Sequence, residues 1–302
     1  MTEEERKGLL VGIACYLLWG VCPLYWKLLG SVDSLEIIAQ RIIWCTVLTV
    51  AACLVARLDL GSLLRSKRAW KFLVPASLLC TFNWGHYIYA VMIERVVETA
   101  IGYYINPLVS ILLGIVIFRE RLTKPQGLAV GLCVAGVIFF TVSYGSFPWI
   151  SLGLAFSFGV YGAVKKKAGY PAVQALAMEN IVIIMPTIAF AVGLAVASGQ
   201  HAFLGDTASA HGWAITLLLV GGGAVTAVPL LLFSHAANKV PLSYMGFIQF
   251  LSPTTALLLG VFLFGEPFTA SHAVLLGCIW AGLALVTGEQ LLAARKPSRQ
   301  GS

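Results

Sequence analysis

The chain has 302 residues, of which 59% are hydrophobic and only 11% charged, with a formal net charge of +7. So much apolar surface cannot be wrapped inside a water-soluble globule of this length, so it must face lipid, and no room is left for a separate soluble domain. Nor does the positive charge read as a nucleic-acid surface: the basic residues sit in short clusters between apolar runs, not on one face interleaved with stacking aromatics.

A bilayer core about 30 Å thick takes roughly 20 residues of helix to cross. Splitting the chain at charged or turn-rich interruptions predicts helices over 8–29, 36–56, 71–93, 97–118, 125–143, 149–164, 173–197, 213–236, 243–264 and 271–292. The charged start, residues 1–8, precedes an apolar run that is too long for a leader and has no small-x-small cleavage site, so a retained first helix is expected. Seventeen of the 20 Lys and Arg fall on one side of this ten-span arrangement, while Arg95 stands alone on the other and Lys27 and Arg41 lie within spans. Basic short loops mark the cytoplasmic face, which places both termini in the cytoplasm. The seven cysteines all fall inside spans without metal-type spacing and read as small apolar packing residues.

At a fixed offset of 146, residues 106–138 align with 252–284 without a gap. Pro107 matches Pro253, Gly114 matches Gly260, Phe118 matches Phe264, Glu120 matches Glu266, and Ala135-Gly136 matches Ala281-Gly282. Shared prolines, glycines and a loop glutamate carry weight that shared apolar residues do not. The offset lays the fourth and fifth spans over the ninth and tenth, so each unit holds five helices. Five is odd, and the second copy must therefore enter the membrane from the opposite side. The expected fold is all-α: ten transmembrane helices in two inverted five-helix repeats, 1–143 and 144–292, followed by a basic tail, 293–302. Inverted repeats are a common plan of secondary transporters. Gly127 with Gly131, and Gly277 with Ala281, form small-xxx-small stripes suited to close helix approach. Pro23, Pro107, Pro229 and Pro253 lie within spans, where each removes a backbone donor and can bend its helix.

Several stretches carry a family resemblance: Tyr16-Leu17-Leu18-Trp19-Gly20, Gln40-Arg41-Ile42-Ile43-Trp44, Asn83-Trp84, the run Gly102-Tyr103-Tyr104-Ile105-Asn106-Pro107, and Phe118-Arg119-Glu120-Arg121. In the second half they are Gly153-Leu154-Ala155-Phe156-Ser157-Phe158, Tyr161-Gly162, Val225-Thr226 with Pro229-Leu230, and Gly246-Phe247 with Gln249 and Pro253-Thr254. Over nearly its full length the chain resembles the EamA-type families of the drug/metabolite transporter superfamily, most closely the RarD proteins of bacteria. The resemblance implies a central path through ten helices, the bacterial inner membrane, and export or exchange of small metabolites such as amino acids, or of drugs. It departs at Gln40, where the family pattern has a histidine before the arginine, so no titrating role carries over to that position.

Ionisable groups in hydrocarbon cost roughly 2.5–3.5 kcal/mol each at a helix centre, so those present require a reason. Lys27 ends the first span and can reach the headgroups. Arg41 lies roughly 8 Å inside the second, where it can either snorkel or face a cavity. Glu179, beside Asn180 in the seventh, is too short to reach water. Two readings stand for Arg41 and Glu179: binding an anionic group and a proton or cation respectively, or pinning neighbouring helices. Asn83 and His86 share a helical face, as do Tyr103 and Asn106, and Gln249 and Ser252. The last two pairs are equivalent at the 146-residue offset, so both halves direct a polar stripe beside a proline at one expected path, with Trp19 and Tyr161 in the nearby motifs. Such an amphipathic lining suits small organic solutes better than bare ions.

No HExxH, GxSxG or phosphate-binding loop occurs, and the five histidines are scattered, so a membrane enzyme is the weaker reading; a passive channel or facilitator is the other alternative. The expected activity is secondary active transport by alternating access, driven by an ion or substrate gradient with protons the default. The expected partners are a small-molecule substrate and the lipid bilayer, with a homodimer allowed, and no nucleic acid, metal or cofactor.

Overall fold

The computed structural model describes residues 3–119, 123–198, 202–205, 208–237, 239 and 248–295, and these are helical without any strand. Local chemistry sets the helix ends. α1 (Glu3–Lys27) has three glutamates in its first turn and Lys27 in its last, each at the end of the helix dipole that favours its sign. α2 (Ser34–Val55) is capped by Asp33, whose Oδ1 accepts the Leu35 N–H at 2.8 Å. A short helix that the hydropathy pattern does not announce, α3 (Leu60–Arg65), starts at Asp59, and α4 (Lys67–Met92) starts at Ser66. α5 (Val96–Phe118) ends on Arg119 in the left-handed region, φ 56°. α6 (Lys124–Tyr144) opens with a reciprocal Thr123–Gln126 capping box. α7 (Trp149–Ala168) runs on past the expected end at 164 and carries Lys165, Lys166 and Lys167 in its last turn. α8 (Ala172–Ser198) and α9 (Ala210–Ala237) follow. α10 (Leu251–Leu258) widens into a π-helical turn over Leu259–Leu263, and α11 (Ala270–Arg295) completes the described chain.

Among the described residues, seven helices are long and apolar enough to cross a membrane: α1, α2, α5, α6, α8, α9 and α11. The basic ends and polar interior positions of α4 and α7 lower their hydropathy. Of the expected 243–264 span, residues 243–247 lie outside the described residues. Val55, Val116, Val142, Val196 and Phe262 are each more than three-quarters exposed (85%, 77%, 79%, 79% and 81%). So much bare apolar surface would promote aggregation in water and is at home in hydrocarbon.

The helices pack in matched sets. α5 lies on α7 and α1 on α10; α4 lies on α7 and α1 on α9; α2 lies on α9 and α4 on α8; α2 also meets α8, and α6 meets α11. Exchanging α1, α2, α4, α5 and α6 for α7, α8, α9, α10 and α11 in that order turns this set into itself. The match extends to atoms. A Cβ on Gly20 would lie 2.5 Å from Thr255 Cβ, and one on Gly159 would lie 2.8 Å from Val109 Cγ1. Val109 and Thr255 are equivalent at the 146-residue offset.

One reading of the sequence is corrected. Nothing lies within 4 Å of a Cβ built on Gly131 or Gly277, so these glycines face open space. The close approach of α6 and α11 falls one face away: a Cβ on Gly136 would lie 2.9 Å from Cys278 Cβ, and one on Gly282 would lie 3.0 Å from the Ala129 carbonyl oxygen. Small residues permit contact, but the face that makes it is decided by the partner helix. Pro253 sits in the first turn of α10, just after the turn at Gln249 and Phe250 that separates it from helical Ile248. α1, α5 and α9 continue through Pro23, Pro107 and Pro229, as do α4 through Pro75 and α8 through Pro186.

Gly282→Val therefore lowers the thermal melting temperature in detergent, by the equivalent of about 1–3 kcal/mol of overpacking, whereas Gly131→Val and Gly277→Val leave it near the parent. Melting curves of the three purified variants check this, and equal losses at all three positions would refute the assigned face.

Candidate functional site

α1, α4, α5, α7, α8, α9 and α10 surround a cavity of about 430 Å³. Its centre is framed by Trp19, Asn83, Tyr103, Asn106, Tyr161, Gln249 and Ser252, with Pro107 and Pro253 beside them, so seven of the ten expected pathway residues line it. It reaches the end of the bundle where Lys165 stands in the last turn of α7 and α8 begins at Ala172. Toward the other end it is closed by packed side chains, including Trp26, Leu29, Ile88, Val91, Val96 and Ile101. α4 presents Cys80, Asn83, Trp84 and Tyr87, the i, i+3, i+4, i+7 stripe of one helical face.

The polar lining also holds the helices in place. Asn83 Nδ2 donates to the Leu154 carbonyl at 3.1 Å and to Ser157 Oγ at 2.8 Å, and its Oδ1 accepts the Tyr103 hydroxyl at 3.4 Å. Asn106 Nδ2 donates to the Ala155 carbonyl at 3.1 Å. Tyr104 of α5, just behind, shares a 2.6 Å hydrogen bond with Thr254 of α10. The wall is otherwise aromatic, with Tyr16, Trp84, Tyr87, Phe158 and Phe250 among its rings.

His86, Arg41 and Glu179 stand off the cavity surface, each for a different reason. His86 does share a face with Asn83, but that face is turned to α7: its Nε2 meets the Ile150 carbonyl at 3.2 Å, and its ring is 5.0 Å from Trp149. Glu179, 2% exposed, lies behind the inner wall. Its Oε1 is 3.0 Å from Lys165 Nζ, its Oε2 accepts the Tyr161 hydroxyl at 3.0 Å, and Lys165 in turn donates to Tyr161 at 2.9 Å. Sequence reasoning counts Lys165 only as a basic loop residue; the extra turn of α7, with Tyr161 one helical turn earlier, is the signal that could have placed it. The neighbouring Asn180 turns the other way, to Cys45 Sγ and Thr49 Oγ1 on α2, both at 3.4 Å. Arg41, 4% exposed, stacks its guanidinium over the Trp84 ring at 5.1 Å.

The closed end is fastened by a residue that the sequence marks only as a repeat signature. Glu266 accepts the Val96 N–H on Oε1 and the Val97 N–H on Oε2, both at 2.7 Å, capping the otherwise open start of α5. Gly260, in the π-helical turn, allows this approach, since a Cβ there would fall 3.0 Å from Val97 Cγ2. Gly265, φ 68°, turns the backbone to deliver the carboxylate. Beside it Lys27 pairs with Glu94 at 3.2 Å and lies over the Phe264 ring at 5.2 Å.

The model of the EamA-like transporter family matches residues 6–142 and again 148–288. Protein RarD of Streptomyces exfoliatus is 40% identical, over 97% of this chain and 92% of its own. The uncharacterized transporter YojE of Bacillus subtilis is 40% identical, over 95% and 96%, and protein RarD of Salmonella typhi is 36% identical, over 98% and 99%. A crystal structure sharing 19% of its sequence superimposes over 98% of this chain and 99% of its own with a TM-score of 0.59, a likeness of fold.

Removing one member of a buried ion pair strands the other, at a cost of about 3–5 kcal/mol. Lys165→Met is thus strongly destabilising in detergent melts, and Lys165→Met combined with Glu179→Met recovers most of the loss. A double variant no better than the single one would refute the pairing.

Proposed function

The chain belongs to the EamA-like transporter family, as a multi-pass transporter of the bacterial inner membrane, and from that premise we propose that it carries small organic solutes by alternating access, as an exporter or exchanger. The observation that carries this reading is a central cavity shared by equivalent residues of both halves, Tyr103 with Gln249, Asn106 with Ser252 and Pro107 with Pro253, and closed at one end. The two halves, 1–143 and 144–292, are read as inverted five-helix repeats with both termini in the cytoplasm. The matched helix contacts, the two successive family matches and the one-sided distribution of Lys and Arg support that arrangement. On this orientation the cavity faces the cytoplasm, and the Glu266 cap lies at the outer, closed end.

Glu179 is the proposed coupling group. It is the one described acid held against the cavity wall by a cavity-lining cation, Lys165, and protonating it releases that cation. The pair must loosen if a proton is to be taken up and delivered during the cycle.

Counterflow in sealed vesicles loaded with labelled amino acids, related metabolites and drugs tests transport directly. At least one solute is expected to exchange, and Trp19→Ala or Asn106→Ala is expected to slow it about tenfold or more; absence of counterflow for the whole panel would count against the reading. Glu179→Gln is expected to retain counterflow but to lose acceleration by an imposed pH gradient. A variant that still responds to the gradient removes Glu179 from coupling. Glu266→Ala is expected to populate an outer-open form, seen as a new, longer distance between spin labels at Leu28 and Phe268, both exposed near the closed end. An unchanged distance distribution would show that the cap does not hold that end.

A further inference from the structure

The charges around the cavity do not balance. Lys165 is answered by Glu179 at 3.0 Å. Arg41 is answered by nothing: among the described residues no carboxylate pairs with it, its buried Nε has no hydrogen-bond partner, and its contact is the Trp84 ring face at 5.1 Å. A cation–π contact contributes about 2 kcal/mol when desolvated, well short of the several kcal/mol that desolvating a guanidinium costs. Of the titratable side chains, Cys45, Cys80 and Tyr103 interact with its charge, and the last two line the cavity with Trp84. One uncompensated positive charge therefore lies directly behind an aromatic wall.

We propose that Arg41 is the anion seat of the transport site, and that the substrate is an organic carboxylate whose remaining surface is flat and apolar. This rests on the transport reading of the cavity and narrows it. The guanidinium has a planar fork of donors that matches a carboxylate in two parallel hydrogen bonds, a geometry that a lysine ammonium cannot offer. Trp84 keeps that fork in one plane and stands between it and the cavity, so the ring turns aside as the carboxylate enters. The substrate's carboxylate supplies the missing counter-charge, and its apolar part fills the space between Trp19, Tyr103 and Phe250. A substrate without an anionic group leaves the charge unpaired and gains nothing from the seat; a solute with a second cation adds to it.

The test requires neither transport nor an identified substrate, because the cavity contains its own reporter, Cys80. In the chain with the other six cysteines replaced by alanine, the rate of Cys80 modification is measured with an anionic methanethiosulfonate, the sulfonatoethyl reagent, and with the cationic trimethylammonioethyl reagent. The anion-to-cation rate ratio, relative to a free thiol, is expected to be raised about tenfold, to fall to the free-thiol value in Arg41→Gln, and to be retained in Arg41→Lys. Phenylpropionate and benzoate are expected to protect Cys80 in the parent, whereas their methyl esters do not. Protection by the carboxylate is expected to be lost in both variants, since the lysine restores charge but not the fork. A rate ratio at the free-thiol value in the parent, or equal protection by acid and ester, overturns the proposal. Should Arg41→Gln fail to fold, the parent's ratio and the acid-against-ester comparison decide alone. Anion-selective labelling without any counterflow would refute the transport reading while leaving the seat; counterflow of neutral solutes unaffected by Arg41→Lys would do the reverse.

Discussion

In hydrocarbon a peptide group has no water to turn to, so the chain must close its hydrogen bonds within helices, and the helices are then drawn together by shape alone. The crossings of α1 with α10 and of α5 with α7 show what this requires. Gly20 receives Thr255, and Gly159 receives Val109, at separations that leave no room for a side chain. Four helices are thereby held in two equivalent crossings, and these set the distances across the cavity from Trp19 to Ser252 and from Tyr103 to Tyr161. If either glycine carried a methyl group, its helix would stand off, and the polar groups that now bond across the seam would part. Asn106 could no longer reach the Ala155 carbonyl at 3.1 Å.

Polar side chains in such an interior divide into those that complete packing and those that leave chemistry over. Asn83, His86 and Asn180 belong to the first kind, since each uses its hydrogen-bonding capacity on a neighbouring helix. The Lys165–Tyr161–Glu179 group is intermediate: its charges cancel, yet it borders the cavity and can rearrange when a proton arrives. Arg41 alone carries a full charge that its described neighbours do not meet, a residue the packing does not need in ionised form. A chain selected only for stability would have an apolar residue there, which is the physical reason to look for its partner in the substrate.

The helical plan is legible in the sequence because hydropathy, basic clusters and the 146-residue offset are one-dimensional signals, independent of which helices become neighbours. Seven of ten expected pathway residues line the cavity for the same reason: a polar group in a long apolar run has few places to go. What is not legible depends on the azimuth of one helix against another. Asn83 and His86 do share a face, but nothing in the chain says that it looks at α7. Gly131 and Gly277 satisfy the spacing for close contact while Gly136 and Gly282, a few residues on, make it. Lys165 is concealed by its company, since three consecutive lysines read as a topology signal whichever of them turns inward. The short α3 escapes because six residues carry too little periodicity.

The Glu266 latch at the closed end and the crossings at Gly20 and Gly159 differ in how firmly they hold, and on the alternating-access reading that difference has a use. At the closed end, Glu266 places a carboxylate on the first N–H groups of α5. A charge at a helix N-terminus contributes about 0.3–1 kcal/mol when exposed and up to ~2 kcal/mol when partly buried. The crossings at Gly20 and Gly159 involve whole helix faces, and large-to-small changes in such packing cost about 2–5 kcal/mol per side chain. On the alternating-access reading, the latch and the side chains packed around it must part in every cycle, while the crossings travel intact within each moving unit. The π-helical turn at Leu259–Leu263 fits that division, since it already departs from regular helix where the latch joins α10. Binding energy of a few kcal/mol from one bidentate carboxylate is then comparable with what the latch contributes. On that reading, a carboxylate substrate seated against Arg41 shifts the balance between two forms without disturbing the fold that holds it.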